Sequence, residues 1–211
     1  MRKILFCLGI VFCVSVSEGQ VEKTNSGSAG PFILSVHLGP AVQQDITVKR
    51  GFLFDPSRNG KISFLTGGRF DIGLAYQIAD SLAVGIESGL VVTYPRTNED
   101  GDFGFYQVPF MANVIYTIPV RWPIKPFLGI GLGGILTYVE QNRFLGPTFA
   151  DREFTPAGQA FAGLRYEFND QFDISLEYRF VAGGEMNFDV QHATTSGTRT
   201  HSISAAFGFR F

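Results

Sequence analysis

Apolar and polar residues alternate one by one along most of the chain after residue 30, and the C-terminal segment shows this most clearly. One parity there carries Ile203, Ala205, Phe207, Phe209 and Phe211, and the other carries Ser202, Ser204, Ala206, Gly208 and Arg210. Successive side chains of a β-strand point to opposite faces, so a period of two predicts a strand with one apolar and one polar face.

Eight such segments recur, and no segment after the N-terminus reads as a capped helix. The predicted strands are 32–42, 61–78, 82–94, 105–118, 126–138, 157–168, 172–180 and 199–211. Short turns at 79–81, 119–125 and 169–171 alternate with long polar connections at 43–60, 95–104, 139–156 and 181–198. An even number of strands with short turns at one end and long loops at the other predicts an eight-stranded antiparallel up-and-down transmembrane β-barrel.

The alternation alone is also compatible with a soluble barrel whose apolar face points inward. The two faces differ in a way that favours the membrane. The polar parity contains many glycines, as a narrow interior requires, while the apolar parity carries Leu, Ile, Val, Phe and Tyr with almost no charge. Aromatic residues gather near both strand ends, for example Tyr76 and Tyr166 at one end and Tyr94 and Tyr138 at the other. Such girdles are typical of lipid-facing barrel walls.

The first 30 residues predict export. Arg2 and Lys3 precede an apolar run from Ile4 to Val16, which is too short for a membrane-spanning helix. We therefore predict a signal peptide at 1–19, a flexible periplasmic segment at 20–30 and the barrel at 31–211. Both cysteines lie within the predicted signal peptide, so the mature chain has no thiol chemistry. The net charge of −2 without a basic patch argues against nucleic acid as a partner.

The hairpin GLRYEFNDQFDISLEYRF at 163–180 and the ending FGFRF at 207–211 resemble the small eight-stranded outer-membrane barrels of the OmpA/OmpX/Ail type. The resemblance implies a bacterial outer-membrane location and a C-terminal assembly signal formed by Phe207, Phe209 and Phe211, read by the barrel assembly machinery. Members of that group serve as structural anchors, adhesins or serum-resistance factors, and a few are lipid-modifying enzymes. The resemblance does not choose among these roles.

Charged residues of the polar parity form a candidate network inside the barrel. They are Arg69, Asp71, Glu87, Arg165, Glu167, Asp173, Glu177, Arg179 and Arg210. The turn at Asn169–Gln171 sets a hairpin register that places Arg165 between Asp173 and Glu177, and the same register brings Arg210 near Asp173. Such a set indicates either an ion path or a plugged core of paired charges. We expect the plug, because unpaired buried charge is costly and eight strands leave little room.

Other candidate motifs carry no chemistry. Residues 129–134 match G-x-G-x-x-G, but they lie within a predicted strand with no helix behind them, so small inward residues explain them better. His201 falls on the lipid-facing parity, whereas Ser202 and Ser204 fall on the inward parity, which breaks the His and Ser pattern of outer-membrane deacylases. The sequence predicts no cofactor, no metal site and no catalytic residue.

The sequence therefore predicts a non-enzymatic, monomeric outer-membrane barrel. Its role is that of a structural anchor or an adhesin-like surface-contact protein that binds an unknown extracellular ligand through four outer loops. The alternative is a narrow channel for ions or small solutes, and a lipid-modifying enzyme comes third. Five phenylalanines in or next to the predicted loops either anchor a partner or sit on the barrel rim: Phe103, Phe105, Phe144, Phe149 and Phe154. Pro109 within the fourth strand predicts a bulge or a strand that begins near it.

Overall fold

The computed structural model describes residues 30–50, 60–96, 101–143, 149–188 and 193–211. The predicted signal peptide at 1–19 and all but the last residue of the 20–30 segment lie outside the described residues. No helix in the described part of the chain is long and apolar enough to span a membrane.

Twelve strands are present in the described residues. They are β1 (Phe32–Gln43), β2 (Ile46–Arg50), β3 (Lys61–Ile62), β4 (Gly67–Ala79), β5 (Leu82–Thr93), β6 (Gly101–Thr117), β7 (Ile124–Arg143), β8 (Phe149–Glu167), β9 (Phe172–Gly183), β10 (Met186–Phe188), β11 (Ala193–Thr195) and β12 (Arg199–Arg210).

Eight of these strands close into an antiparallel barrel in the order β1-β12-β9-β8-β7-β6-β5-β4, which confirms the predicted fold. The closing pair joins the two ends of the chain, since the Phe32 amide donates to the Phe211 carbonyl at 3.1 Å and the Phe211 amide donates back at 2.9 Å. Following paired neighbours around the ring from Leu34 returns to β1 at Gln44 rather than at Leu34, so the strands are tilted.

The two faces of the wall are the ones that the alternation predicts. On β12, Ile203 is 54% exposed and Phe207 is 49% exposed, whereas Ser202 and Ser204 are buried. Leu132 on β7 is 77% exposed. An apolar outer face and a largely polar lumen are the arrangement that lipid requires, because all backbone groups of a closed barrel are paired within the wall.

The strands on one side of the barrel are longer than the sequence predicted. β7 ends at Arg143 and β8 begins at Phe149, so most of the expected loop 139–156 belongs to these two strands. β6 begins at Gly101, inside the expected loop 95–104. Above the membrane the outer face of these strands carries polar residues such as Glu140 and Arg152. The apolar alternation therefore stops while the strand continues, which is why the sequence pattern ended too early.

The other two expected loops also contain strands. β2 lies within the expected loop 43–60, and β10 and β11 lie within 181–198. The predicted strand 61–78 is divided into β3 and β4. β2, β3, β10 and β11 form a separate four-stranded sheet in the order β10-β11-β2-β3. We call this sheet the extracellular cap, because it lies at the end of the barrel opposite the short turns and the chain ends.

Pro109 produces neither a bulge nor a strand start. It lies inside β6 opposite Ile135 of β7. On the other side, pairing with β5 is present at Phe110 and at Gln107 in one unshifted register and is interrupted between them. Because proline has no N–H to donate, the wall accommodates it by omitting pairs on one side only.

Candidate functional site

A layer of charged side chains crosses the middle of the lumen. Period-two alternation on β4, β5 and β9 turns its members inward, and each is at most 7% exposed. We call the set Arg69, Asp71, Glu87, Glu177 and Arg179 the charge layer.

Arg179 is the centre of the charge layer. Its Nη1 donates to Glu87 Oε1 on the opposite wall, and its Nε donates to Glu177 Oε1 at 2.7 Å. The guanidinium also lies 4.7 Å from the centre of the Phe161 ring and 3.3 Å from Gln159 Oε1. The positive charge of the buried guanidinium is thus compensated by two carboxylates, an amide oxygen and an aromatic face.

Arg69 of β4 bonds to two other members of the charge layer. Its Nε donates to Asp71 Oδ2, and its Nη2 lies 3.4 Å from Glu87 Oε1. Gln159 Nε2 donates to Asn113 Oδ1 at 2.7 Å, which extends the hydrogen bonds to β6. The layer thus joins β4, β5, β6, β8 and β9 across the narrow interior of the barrel.

The remaining predicted lumen charges lie nearer the periplasmic end. Arg165 Nε is 3.5 Å from Asp173 Oδ1, but Glu177 binds Arg179 instead of Arg165. Arg210 lies two residues beyond Gly208, the pairing partner of Asp173, and makes no direct ion pair with Asp173 in the described structure. The hairpin register thus located Arg165 and Asp173, whereas the partner of Glu177 is set by a side chain on its own strand.

Glu167 has a partner that the sequence analysis missed. Lys125 Nζ donates to Glu167 Oε2 at 2.5 Å. Lys125 was assigned to the turn 119–125, but it is the second residue of β7 and pairs with Arg165 of β8. Together with Arg210 and Arg121, this pair lines a periplasmic mouth of about 380 Å³. A cavity of about 60 Å³ lies further in, between this mouth and the charge layer.

Apolar and polar groups fill the lumen on the extracellular side of the charge layer. Met111, Ile135 and Val181 form a buried apolar cluster there. Beyond it, Thr200 Oγ1 donates to Gln43 Oε1 at 2.6 Å and lies 3.3 Å from Gln107 Oε1. The lumen is therefore crossed by side chains at several levels.

An apolar core lies under the extracellular cap. It consists of Ile46, Ile62, Phe64, Phe105, Val139, Met186 and Phe188, with Val48 packed against it. Phe105 and Met186 are fully buried, and the Phe64 and Phe105 rings meet edge to face at 5.1 Å. The core joins the cap strands to the extended tips of β6 and β7, so this end of the barrel is covered by packed structure.

This core corrects the expectation for one of the loop phenylalanines. Phe105 is a buried core residue and offers no surface to a partner. Phe154 is 60% exposed on the outer face of β8. Phe103 and Phe149 lie in strands whose side chains at these positions are outside the described set, and Phe144 lies outside the described residues.

No catalytic or metal site is visible around His37 and His201 among the described residues, and Gly129 has a structural explanation. His37 faces the lumen with its Nε2 3.1 Å from Ser35 Oγ, while His201 is on the outer wall and Ser202 and Ser204 are buried in the lumen. The described residues contain no cluster of three or more His, Cys, Asp or Glu side chains that could hold a metal ion. A Cβ on Gly129 would lie 2.2 Å from the Phe161 ring, so the small residue makes room for a lumen side chain.

The outward aromatic residues of β12 form a stacked strip at the periplasmic edge. The ring centres of Phe172 and Phe209 are 5.1 Å apart, those of Phe209 and Phe211 are 5.7 Å apart, and those of Phe172 and Phe207 are 5.7 Å apart. Phe211 also stacks on Phe32 at 5.8 Å. The strip therefore covers the seam where the first and last barrel strands meet.

Comparison with known proteins agrees with this architecture. The sequence profile of the family described as Outer membrane protein beta-barrel domain matches residues 52–211. Neisserial surface protein A (NspA) is similar in structure, with a TM-score of 0.59 and 18% identity over 87% of this chain and 99% of that chain. OprG from Pseudomonas aeruginosa gives a TM-score of 0.52 and 15% identity over 87% of this chain and 97% of that chain. AlkL, solved by solid-state NMR in lipid bilayers, gives 0.52 and 15% over 93% of this chain and 97% of that chain. No curated protein gives a significant match.

The closed ring of eight strands, its apolar outer wall and these structural likenesses define a small outer-membrane β-barrel. The chain belongs to the outer membrane protein beta-barrel domain family, since the profile spans most of its length. It is therefore a protein of the bacterial outer membrane, and its barrel wall lies in lipid.

Proposed function

We propose that this protein is a non-enzymatic outer-membrane anchor that presents a folded platform at the cell surface for adhesin-like contact with an extracellular ligand. The observation that carries the proposal is the combination of a blocked lumen with a packed extracellular cap. The charge layer crosses the barrel at mid-height, and the core around Phe105 and Phe188 supports a sheet on top of it. This architecture favours presentation of a surface over passage through the pore.

The cap has the properties of a contact surface. Its strands are held from below by buried residues such as Ile46, Met186 and Phe188. Its outer side carries exposed charges, including Lys49, which pairs with Glu185, and Lys61, whose Nζ is 3.0 Å from Asp45 Oδ2. Exposed pairs of this kind contribute little to stability, so these charged side chains are free to contact a ligand.

Surface display tests the proposal. Cells that express the protein should adhere to immobilised extracellular-matrix proteins more strongly than cells without it. Phe188→Asp, which places a charge in the core under the cap, should abolish that gain at equal surface amounts. Lys49→Gln changes an exposed cap residue and serves as the matched control. Adhesion that is equal with and without the protein would reject the proposed function.

The channel alternative has one observation in its favour. Several lumen polar atoms on the extracellular side have no hydrogen-bond partner among the described residues, including Thr93 Oγ1, Thr137 Oγ1 and Thr155 Oγ1. Buried polar groups of this kind are normally satisfied by water. A hydrated stretch between the charge layer and the cap is one requirement for conduction, and a path through the layer is the other.

A lipid-modifying enzyme is the third alternative. His201 faces the lipid, but Ser202 and Ser204 are in the lumen, so no serine stands beside it on the outer wall of β12. Overexpression should therefore leave the masses of lipid A unchanged. A new lipid A species in cells with the wild type, absent from cells with His201→Gln, would establish the enzymatic role instead.

We further propose that Phe207, Phe209 and Phe211 form the signal that the barrel assembly machinery reads. Their rings project outward along the strand that closes the barrel, which supports this role. Phe211→Ser should lower the amount of folded protein in the outer membrane, and export to the periplasm should be unaffected. Equal assembly of Phe211→Ser and wild type would remove this proposal. The protein is proposed to act as a monomer.

A further inference from the structure

We propose that a strip of polar side chains on the outer wall binds one molecule of a phosphorylated glycolipid with hydroxylated or branched acyl chains, the chemical class of lipid A. The strip consists of Gln44, Tyr178, Arg199 and His201. It lies on the seam of β1, β12 and β9, and it is separate from the lumen and from the cap that the proposed function uses.

The four side chains lie next to each other by register. The backbone N–H of Gln44 donates to the Arg199 carbonyl at 2.8 Å. His201 is paired with Val42 of β1 and with Phe180 of β9, and Tyr178 is paired with Ile203. Arg199 and His201 alternate on β12 with Thr198, Thr200 and Ser202, which are buried in the lumen. Both residues therefore face outward.

A chain of hydrogen bonds runs along the strip. Gln44 Nε2 lies 2.8 Å from His201 Nε2, and His201 Nδ1 lies 2.7 Å from the Tyr178 hydroxyl. An amide nitrogen can only donate, so Nε2 of a neutral His201 accepts and Nδ1 carries the proton. His201 then donates to Tyr178 Oη, and the Tyr178 O–H is left as a donor toward the lipid. Tyr178 is 48% exposed.

The position of the strip determines what can accept that hydrogen bond. A tilted strand crosses the hydrocarbon layer in about 9–11 residues. Counted from Phe209 in the periplasmic aromatic strip, that length places Arg199 at the outer boundary and His201 just inside it. The neighbouring outward residues, Ile203 and Val42, are apolar and exposed. Polar side chains at such a depth are costly unless they are paired or serve a function.

Arg199 supplies the second half of the site. Its side chain is exposed at the level of the head groups and forms no ion pair with a described residue. An arginine fork suits a phosphate group. A lipid that satisfies both halves carries a phosphate at the boundary and hydrogen-bond acceptors deeper, along its acyl chains. The Tyr178 hydroxyl is bonded to His201, two residues inward of Arg199, so its acceptor lies close below the phosphate. An ordinary phospholipid offers two ester carbonyls at that depth, whereas lipid A offers ester, amide and hydroxyl groups on several acyl chains, which favours lipid A.

Native mass spectrometry of the full chain from phosphatidylcholine nanodiscs with a small fraction of lipid A tests this site. The wild type should retain lipid A above its bulk fraction. Tyr178→Phe and Arg199→Gln should each lower that retention by about two- to tenfold, the range expected for one lost hydrogen bond. Tyr166→Phe and Arg121→Gln make the same chemical changes at the periplasmic end and should retain lipid A like the wild type. Heat-modifiable migration on gels confirms that each variant is folded.

Three results would overturn the proposal. The first is retention no higher than the bulk fraction, and the second is equal retention in Tyr178→Phe, Arg199→Gln and wild type. The third is equal retention of phosphatidylglycerol in parallel nanodiscs, since the strip would then recognise negative charge alone. Retention of lipid A over phosphatidylglycerol that is lost with the Tyr178 hydroxyl would establish the site.

Discussion

Arg179 on β9 and Glu87 on β5 form an ion pair across the full width of the lumen. The two strands stand on opposite sides of the ring of eight, so this contact joins walls that share no backbone hydrogen bond. Both side chains are nearly inaccessible to solvent. A single pair that spans the diameter, with Glu177 and Arg69 bound to its two ends, crosses the lumen at mid-height.

Removal of Arg179 should therefore destabilise the barrel more than removal of any other lumen cation. Arg179→Met leaves Glu87 and Glu177 without their main partner, at a cost of about 3–5 kcal/mol for breaking a buried pair. Urea titration of the refolded protein in lipid vesicles measures this free energy. Arg165→Met is the matched control, since Arg165 is more accessible and has one carboxylate at 3.5 Å.

A double-mutant cycle distinguishes an ion pair from simple packing. Glu87→Gln in the Arg179→Met background should recover part of the lost stability, because the uncompensated charge is gone. If the two substitutions are simply additive, the pair does not couple the opposite walls.

Arginine substitutions on the lipid face should show a depth dependence. Leu132, on the outer face of β7, lies midway between Pro126 near the periplasmic end and Tyr138 in the outer girdle. Leu132→Arg should cost about 2–4 kcal/mol. Leu164 pairs with Pro126 and so lies near the periplasmic boundary, where the cost of Leu164→Arg falls to about 0–1 kcal/mol. Refolding free energies in vesicles measure both, and equal costs would contradict the assigned position of the membrane.

The core under the extracellular cap should contribute to the free energy of unfolding as the core of a soluble protein does. Phe105→Ala removes a fully buried ring and should cost about 3–5 kcal/mol, seen as faster hydrogen exchange in β2 and β10. Phe154→Ala removes an exposed ring at a similar height on the outer wall and should leave that exchange unchanged. Exchange that is fast in these strands of the wild type would show that the cap is not a packed unit.

Sequence alternation was sufficient to predict the strands of the barrel wall and their two faces. Lipid on one side and a narrow lumen on the other impose a strict period of two. The face of every residue of β12 from Ser202 to Phe207 follows from it. The same reasoning stopped at Tyr138, although β7 continues to Arg143. Beyond the lipid the outer face of the strand carries polar residues such as Glu140, so the apolar alternation no longer marks the strand.

The cap and the charge layer depend on relationships that a local pattern does not contain. Ile46 and Phe188 meet in one core although a long stretch of chain separates them, and their strands are short. The Arg165–Asp173 contact could be predicted from the sequence because one tight turn sets its register. Arg179 and Glu87 are brought together only by closure of the ring, which places β9 opposite β5.

Conductance of the wild-type protein in planar lipid bilayers tests the central claim most directly. The charge layer and the packed cap predict a closed lumen, so folded wild-type protein should give no steady discrete openings. The same preparation should be verified as inserted and folded by its heat-modifiable migration. Steady discrete openings whose size changes in Glu87→Gln would contradict the account, because ions would then be passing through the layer that is held to block them.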